Sequence, residues 1–196
     1  MLASITPLGE RGRRSTWWVT VSAFLIGATV AGAAAGAALG GLGAFALPAG
    51  LPPHARAAML AGALALAIGL DVAAHPLPGP RRQVDERWLE RYRGWVYGIG
   101  YGSQLGLAVT TVVTSAATYV ALLAAVLAGR PGAGAVILGS YGAVRGLTPL
   151  AAAGVRSQRQ LLEFHRGFDR WRVRARWGTV ASQAGVLLAA VALAGA

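Results

Sequence analysis

The sequence contains no cysteine and no lysine, and it has few charged residues of any kind. Without cysteine, disulfide bonds, thiolate metal sites and thiol–disulfide electron transfer are excluded. All 18 cationic side chains are arginine, which fits either a codon bias towards GC-rich DNA or a selection of guanidinium groups for phosphate binding. Charged residues make up 13% of the chain, whereas soluble domains carry roughly 25%. So little charge cannot cover the surface of a soluble globule.

Long apolar blocks take the place of the missing charge. A helix needs about 20 apolar residues to cross a bilayer, and several blocks meet that length. The predicted spans are residues 17–47, 57–77, 94–129, 133–155 and 177–196. The fold class is therefore an all-α polytopic transmembrane bundle, with a cytoplasmic N-terminal tail (1–16) and a single transmembrane domain (17–196). A cleaved signal peptide is the alternative for the first block, which is about twice the usual 7–15 residues.

The arginines fall on one side of these spans. Simple alternation places 15 of them in the N-terminal tail and the two long connections, and only Arg56 and Arg130 on the opposite side. Because cytoplasmic loops are enriched in arginine, the N-terminus is predicted inside the cell and the C-terminus outside. The same bias accounts for the net charge of +11 without nucleic acid as a partner. The predicted location is the inner membrane, in contact with anionic lipid headgroups.

Self-comparison indicates an internal repeat. At an offset of 79 residues, the segment 87–93 falls on 166–172, and Ser103 and Gln104 fall on Ser182 and Gln183. The unit is a basic cytoplasmic helix followed by an outward and an inward span, so the repeat is parallel, as in some transporters. Chance similarity between low-complexity segments is the alternative.

Two ladders of glycine predict close helix packing. Glycines four residues apart lie on one helix face and let two backbones approach in lipid. The ladders are Gly32, Gly36 and Gly40 in span one, and Gly98, Gly102 and Gly106 in span three. They indicate tight packing within the bundle, or between copies in a homo-oligomer or with other membrane subunits.

The two longer cytoplasmic segments, 81–93 and 156–176, have an apolar face opposite arginines. Such segments lie at headgroup level or dock an acidic partner or nucleotide. The candidate residues for binding lipid or a partner are Arg87, Arg91, Arg166, Arg170, Arg172 and Arg174.

Charges within spans mark the candidate site, because they are costly in lipid and usually pair or line a pathway. Asp71 in span two and Arg145 in span four are predicted at depths that differ by about 3 Å. An ion pair between them is one hypothesis, and it would be either a static bridge or part of a substrate or proton site. Unpaired side chains that reach the interface are the other interpretation.

Further polar residues point to the same region. Span three has a stripe formed by Tyr97, Tyr101, Gln104, Thr111, Ser115 and Thr118. Pro149 lacks the amide that would bond the carbonyl of Arg145, so a kink with a free carbonyl is expected there. The candidate substrate-binding residues are Asp71, Arg145, Thr148, Gln104 and Thr111.

No enzyme motif, metal-ligand spacing or cofactor motif is present in the sequence. The glycine-rich spans and the 145–149 region are similar in style to the broad superfamily of small bacterial transporters that includes amino-acid exporters and DsbD-type thiol carriers. Thiol carriers require a membrane cysteine pair, so their redox function and residues do not transfer. The leading prediction is a small transporter or permease-like protein. The alternative is a non-catalytic membrane subunit or scaffold, and a lipid-modifying enzyme lacks a visible acid–base pair.

Overall fold

The computed structural model describes residues 5–48, 51–79, 87–108 and 113–195, and all secondary structure in these ranges is helical. A short 3₁₀ helix, Thr148–Ala152, lies between the last two α-helices. The α-helices are α1 (Pro7–Gly12), α2 (Trp17–Ala46), α3 (Pro53–Val72), α4 (Trp88–Arg91), α5 (Gly94–Gly106), α6 (Ala117–Leu127), α7 (Pro131–Gly146) and α8 (Gln158–Ala194).

In the part of the chain that the structure describes, three helices are long and apolar enough to cross a membrane. They are α2, α3 and the Val173–Ala194 part of α8. The protein is therefore an all-helical protein whose apolar helices suit a bilayer. Five spans, the internal repeat and the orientation of the termini stay predictions.

Predicted spans three and four are divided rather than continuous. The third is split into α5 and α6, and its residues 109–112 lie outside the described ranges. The fourth leaves α-helical geometry after Gly146 and continues as the 3₁₀ helix that contains Pro149. The expected kink is thereby confirmed, because proline removes an amide donor from the helical ladder.

The basic segment before predicted span five runs into that span without a break in the helix. Residues 158–194 form the single helix α8, which begins with a capping box between Ser157 and Gln160. At 1.5 Å per residue, its 37 residues extend about 55 Å. That exceeds the roughly 30 Å hydrocarbon core, so the basic first part of α8 projects beyond any bilayer that the rest spans.

The glycine ladders bring α5 and α7 against α2, which confirms the prediction of close packing within the bundle. A methyl group on Gly102 or Gly106 would overlap the carbonyls of Phe24 or Ala28 in α2. A methyl group on Gly36 would overlap the carbonyl of Gly134 in α7. Along the contact between α2 and α5, the residue numbers of the contacting pairs increase together. Along the contact between α2 and α7, the numbers increase in one helix and decrease in the other. The first pair is therefore parallel and the second antiparallel.

A second layer consists of α3 and α8, joined to the first through α6. Leu64, Ala67, Ala116, Val120 and Ala190 form its buried core. Outward apolar side chains remain exposed on α3 and α8, among them Met59, Leu66, Val186, Leu188 and Leu193. Such faces suit contact with lipid or another membrane helix.

Residues 5–16, the described part of the predicted N-terminal tail, are packed against the body of the bundle. Ile5 is 1% exposed and lies in one core cluster with Phe24 and Tyr97. Trp17 donates its indole N–H to the carbonyl of Ile5 at 3.3 Å. The backbone amide of Leu8 donates to the carbonyl of Val155 at 3.2 Å. These contacts hold α1 over the first turns of α2 and α5.

Candidate functional site

The site lies where predicted span three is interrupted. α5 packs along the first part of α2, and Val126 of α6 lies against Gly43 near the last turn of α2. The two short helices thus lie one after the other along α2, and residues 107–108 and 113–116 between them are not helical. Each helix end has backbone groups without partners within the helix. In lipid these groups need partners from other elements.

Asp71 satisfies the start of α6. Its carboxylate accepts the backbone amide of Ala116 at 2.9 Å and the hydroxyl of Ser115 at 2.7 Å. It also accepts the side-chain amide of Gln183 in α8 at 2.8 Å. Asp71 is buried and lies at the positive end of a helix dipole, where negative charge is stabilised. It therefore joins α3, α6 and α8.

Arg145 satisfies the end of α5. Its Nη1 donates to the carbonyl of Leu105 at 3.2 Å, and its guanidinium lies 5.6 Å from the ring centre of Tyr141. The carbonyl of Arg145 that Pro149 leaves without its usual donor accepts the hydroxyl of Thr148 at 2.8 Å. The freed carbonyl is therefore occupied, contrary to the expectation that it would be open to a ligand.

The hypothesised Asp71–Arg145 ion pair is not formed, because the two side chains have different partners. Asp71 binds an amide end of a helix, and Arg145 binds a carbonyl end of another. Two further arginines act like Arg145. Arg56 donates to the carbonyl of Leu127 at 3.4 Å, at the end of α6, and Arg176 donates to the carbonyl of Val72, at the end of α3.

A cavity of about 230 Å³ lies beside the end of α5, and Arg145 and Thr148 line it. Thr114 is its third polar lining residue, and the other walls are Ile5, Phe24, Leu105 and Pro149. No described carboxylate lies within ion-pair distance of Arg145. The Thr148 hydroxyl already donates to the carbonyl of Arg145. The cavity thus offers one positive charge and the Thr114 hydroxyl in apolar surroundings, which suits a small anionic group.

The other predicted site residues do not gather around one cavity. Thr111 lies outside the described residues, and Gln104 does not line the cavity. The polar stripe of span three is divided: Ser115 bonds Asp71, and Thr118 shares a hydrogen bond of 2.7 Å with Tyr141. Tyr97 and Tyr101 are buried against α2 instead.

A buried carboxylate near the start of α2 was missed by sequence reasoning. Glu10 is 0% exposed and accepts the Tyr97 hydroxyl at 2.6 Å, the Thr20 hydroxyl at 2.8 Å and Arg13 at 2.7 Å. Burial alone would raise the pKa of Glu10, but the hydrogen bonds from Tyr97, Arg13, Thr20 and Ser15 outweigh it and lower that pKa. Burial lowers the pKa of Arg13, and the Glu10 carboxylate more than reverses this effect. The signal available in the sequence was that Glu10 and Arg13 are three residues apart, a spacing at which side chains on a helix can pair.

The candidate lipid- and partner-binding arginines lie outside this site. Arg87, Arg91, Arg166 and Arg174 are exposed, and the side chains of Arg170 and Arg172 lie outside the described set. Arg159 and Glu163 form an exposed ion pair at 2.9 Å on the projecting part of α8. Such pairs contribute about 0–1 kcal/mol to the free energy of folding. The positions of these side chains are therefore set by the helix rather than by the ion pair.

These features define an all-helical protein whose apolar helices suit a membrane and whose internal charges bind helix ends. Comparison with protein families, characterised proteins and solved structures gives no match at the level required to infer relationship.

Proposed function

We propose that this chain is a small membrane permease whose substrate site is the cavity at Arg145. The observation that carries the proposal is a guanidinium without a described carboxylate partner, beside an interrupted helix. Interrupted helices near the middle of a span are a recurrent way in which transporters expose backbone ends to substrates and ions. The substrate class that fits is a small organic anion with an apolar part.

The walls of the cavity support this choice of substrate. Leu105 and Phe24 offer apolar surface, whereas Thr114 provides a hydroxyl beside Arg145. A cavity of about 230 Å³ is below the 300–1,000 Å³ that is usual for drug-sized ligands. A small carboxylate suits this volume.

The N-terminal segment closes one side of this cavity. Ile5 is a lining residue, and the segment that carries it is held by the buried hydrogen bonds of Glu10 and by the Leu8–Val155 backbone bond. In a permease, such a segment would separate the site from the cytoplasm until it is displaced. Asp71 has a supporting role in this scheme, because it fixes the start of α6 beside the cavity.

Binding of a short carboxylate series to detergent-purified protein tests the proposal. Propionate and butyrate should raise the melting temperature of the wild type, whereas propylamine should not. Arg145→Gln should abolish the shift, and Arg56→Gln is the matched control because Arg56 also donates to a helix end but does not line the cavity. Equal shifts in wild type and Arg145→Gln would refute the site, and uptake into proteoliposomes then tests transport.

The projecting part of α8 favours a second candidate function, a membrane scaffold that docks an acidic cytoplasmic protein. Segment 156–176 contains seven arginines and two acidic residues, and Leu162 and Trp171 are exposed beside them. Because α8 is one helix, this part extends away from the bilayer instead of lying along it. Replacement of Arg159 and Arg166 by glutamine should reduce co-purification of an acidic partner from membranes. Replacement of Arg11 and Arg130, which are exposed and lie outside this segment, is the control. Loss of binding to anionic vesicles instead would assign the segment to lipid.

A further inference from the structure

A second cavity is an open groove of about 490 Å³ at the end of the bundle where α2 and α5 begin. We infer that this groove binds the phosphate of an anionic lipid headgroup. Its cationic residues are Arg13, Arg14 and Arg93, and no described carboxylate lines it. Arg13 is already bonded to the buried Glu10. The net cationic contribution of the groove therefore comes mainly from Arg14 and Arg93, both of which are exposed.

The backbone adds to this positive potential. Thr16 and Arg93 are the N-caps of α2 and α5, and neither side chain makes a capping hydrogen bond. No acidic residue lies in the first turn of either helix. Because α2 and α5 run parallel, the positive ends of both helix dipoles face the same groove. Helix starts favour phosphate, and here they act together with two arginine side chains.

The conformation of Arg14 is consistent with a role that costs stability. Its φ angle is 54°, in the left-handed region that residues other than glycine adopt at a cost of about 1–2 kcal/mol. Gly12, two residues before Arg14, has open space around it and no positive φ, so the glycine of this turn does not stand at the strained position. Arg14 follows the C-cap of α1, a common position for this conformation, and its side chain lines the groove.

A lipid is favoured over soluble phosphate by the surroundings of the groove. Tyr92 and Trp95 line it and are 48% and 51% exposed, and Trp18 is exposed on the adjacent first turn of α2. Tyrosine and tryptophan concentrate where apolar chains meet headgroups. The groove also lies at the beginning of the longest candidate span, Trp17–Ala46, which is the headgroup level if α2 crosses the bilayer. This inference is independent of the permease site at Arg145.

The experiment compares two double variants of equal charge by native mass spectrometry of the full chain with added phosphatidylglycerol. Arg14→Gln with Arg93→Gln removes the groove arginines, and Arg11→Gln with Arg156→Gln removes exposed arginines that do not line it. The groove variant should bind phosphatidylglycerol about tenfold more weakly, and the control should lose less than about threefold. Equal losses would assign the affinity to general charge attraction and overturn the site.

Two further measurements keep the outcome clear. Arg14→Gly relieves the backbone strain, so this variant should melt no lower than wild type. It should still bind phosphatidylglycerol several-fold more weakly, because the guanidinium is lost. Unchanged binding would count against the groove. Phosphatidylcholine should not compete with phosphatidylglycerol. If inorganic phosphate displaces the lipid at equal concentration, the groove is a site for soluble phosphate and the lipid assignment is wrong.

Discussion

Replacement of Asp71 tests whether this carboxylate holds the fold or binds a substrate. Asp71→Ala removes the acceptor of three hydrogen bonds, from Ser115, Ala116 and Gln183. Ser115 can rotate its hydroxyl, but the amides of Ala116 and Gln183 remain buried without an acceptor. Each buried donor left unsatisfied costs about 1–3 kcal/mol. The expected loss in the free energy of unfolding is therefore about 2–6 kcal/mol for the two donors.

Asp71→Asn should cost much less than Asp71→Ala. The amide oxygen can still accept the N–H of Ala116, and its NH₂ group can donate to the side-chain oxygen of Gln183, which is buried without a described partner. A loss of about 1–2 kcal/mol follows from replacing a charged acceptor by a neutral one. Ser115→Ala, which removes a single donor, should cost about 1 kcal/mol.

Unfolding in mixed micelles, with increasing dodecyl sulfate and tryptophan fluorescence as the signal, measures these free energies. The order Asp71→Ala, then Asp71→Asn, then Ser115→Ala is the predicted order of destabilisation. If Asp71→Ala is as stable as wild type but no longer binds the organic anion, Asp71 is a ligand residue. The structural role derived from its three hydrogen bonds would then be wrong.

Three other predictions follow from the same contacts. Gly102→Ala should destabilise the protein by at least about 2 kcal/mol in the same assay because its methyl group would overlap α2, whereas Gly62→Ala, with open space around it, should stabilise by up to about 1 kcal/mol. The pKa of Glu10 lies below its ordinary value of 4.5, so its stabilisation is present above pH 4.5 and is lost as the pH falls through the lower folded pKa; Glu10→Gln should remove that part of the acid-unfolding curve. Arg176→Gln should increase amide hydrogen exchange at the end of α3, since its donor to Val72 is lost, and unchanged exchange there would contradict the cap.

The sequence predicts the close packing of the bundle because glycine spacing has a direct geometric meaning. Glycines four apart share one face of a helix, and only a partner backbone makes use of the missing side chains. Gly98, Gly102 and Gly106 therefore identify the face that meets α2, and the structure has that contact. Which helix provides the partner is a matter of topology, and the spacing of glycines within one helix carries no information about it.

The interruption of span three was not predictable from hydropathy. Residues 94–129 contain no charge and no proline, so hydropathy marks no helix end near Gly106 or Ala117. The local signal is the β-branched run at 109–114, whose helix propensity is low. The end of α7, by contrast, was predicted because Pro149 removes a specific backbone donor. The end of α7 has a local chemical cause in the sequence. The break between α5 and α6 also depends on side chains of α3 and α7, which bond the backbone groups at the two helix ends.

The network around Glu10 escaped prediction because its members are far apart in sequence. Thr20 lies ten residues from Glu10, and Tyr97 lies 87 residues away. In the sequence, Glu10 stands among arginines in a short polar stretch and looks like a solvated charge. Burial of a carboxylate requires donors from several elements, and only the packing of α5 on α2 brings Tyr97 to it.

The charges in and beside the apolar blocks follow one rule once the helix ends are known. In a continuous transmembrane helix, the backbone N–H and C=O groups bond one another. Two opposite charges at similar depth then have no better partner than each other. A divided span changes that balance, because an amide end attracts a carboxylate and a carbonyl end attracts a guanidinium. Asp71 and Arg145 therefore bind the two sides of the break in span three instead of one another. In this bundle a charge within an apolar block thus indicates first a broken neighbouring helix, and a ligand site only where the charge faces a cavity, as Arg145 does.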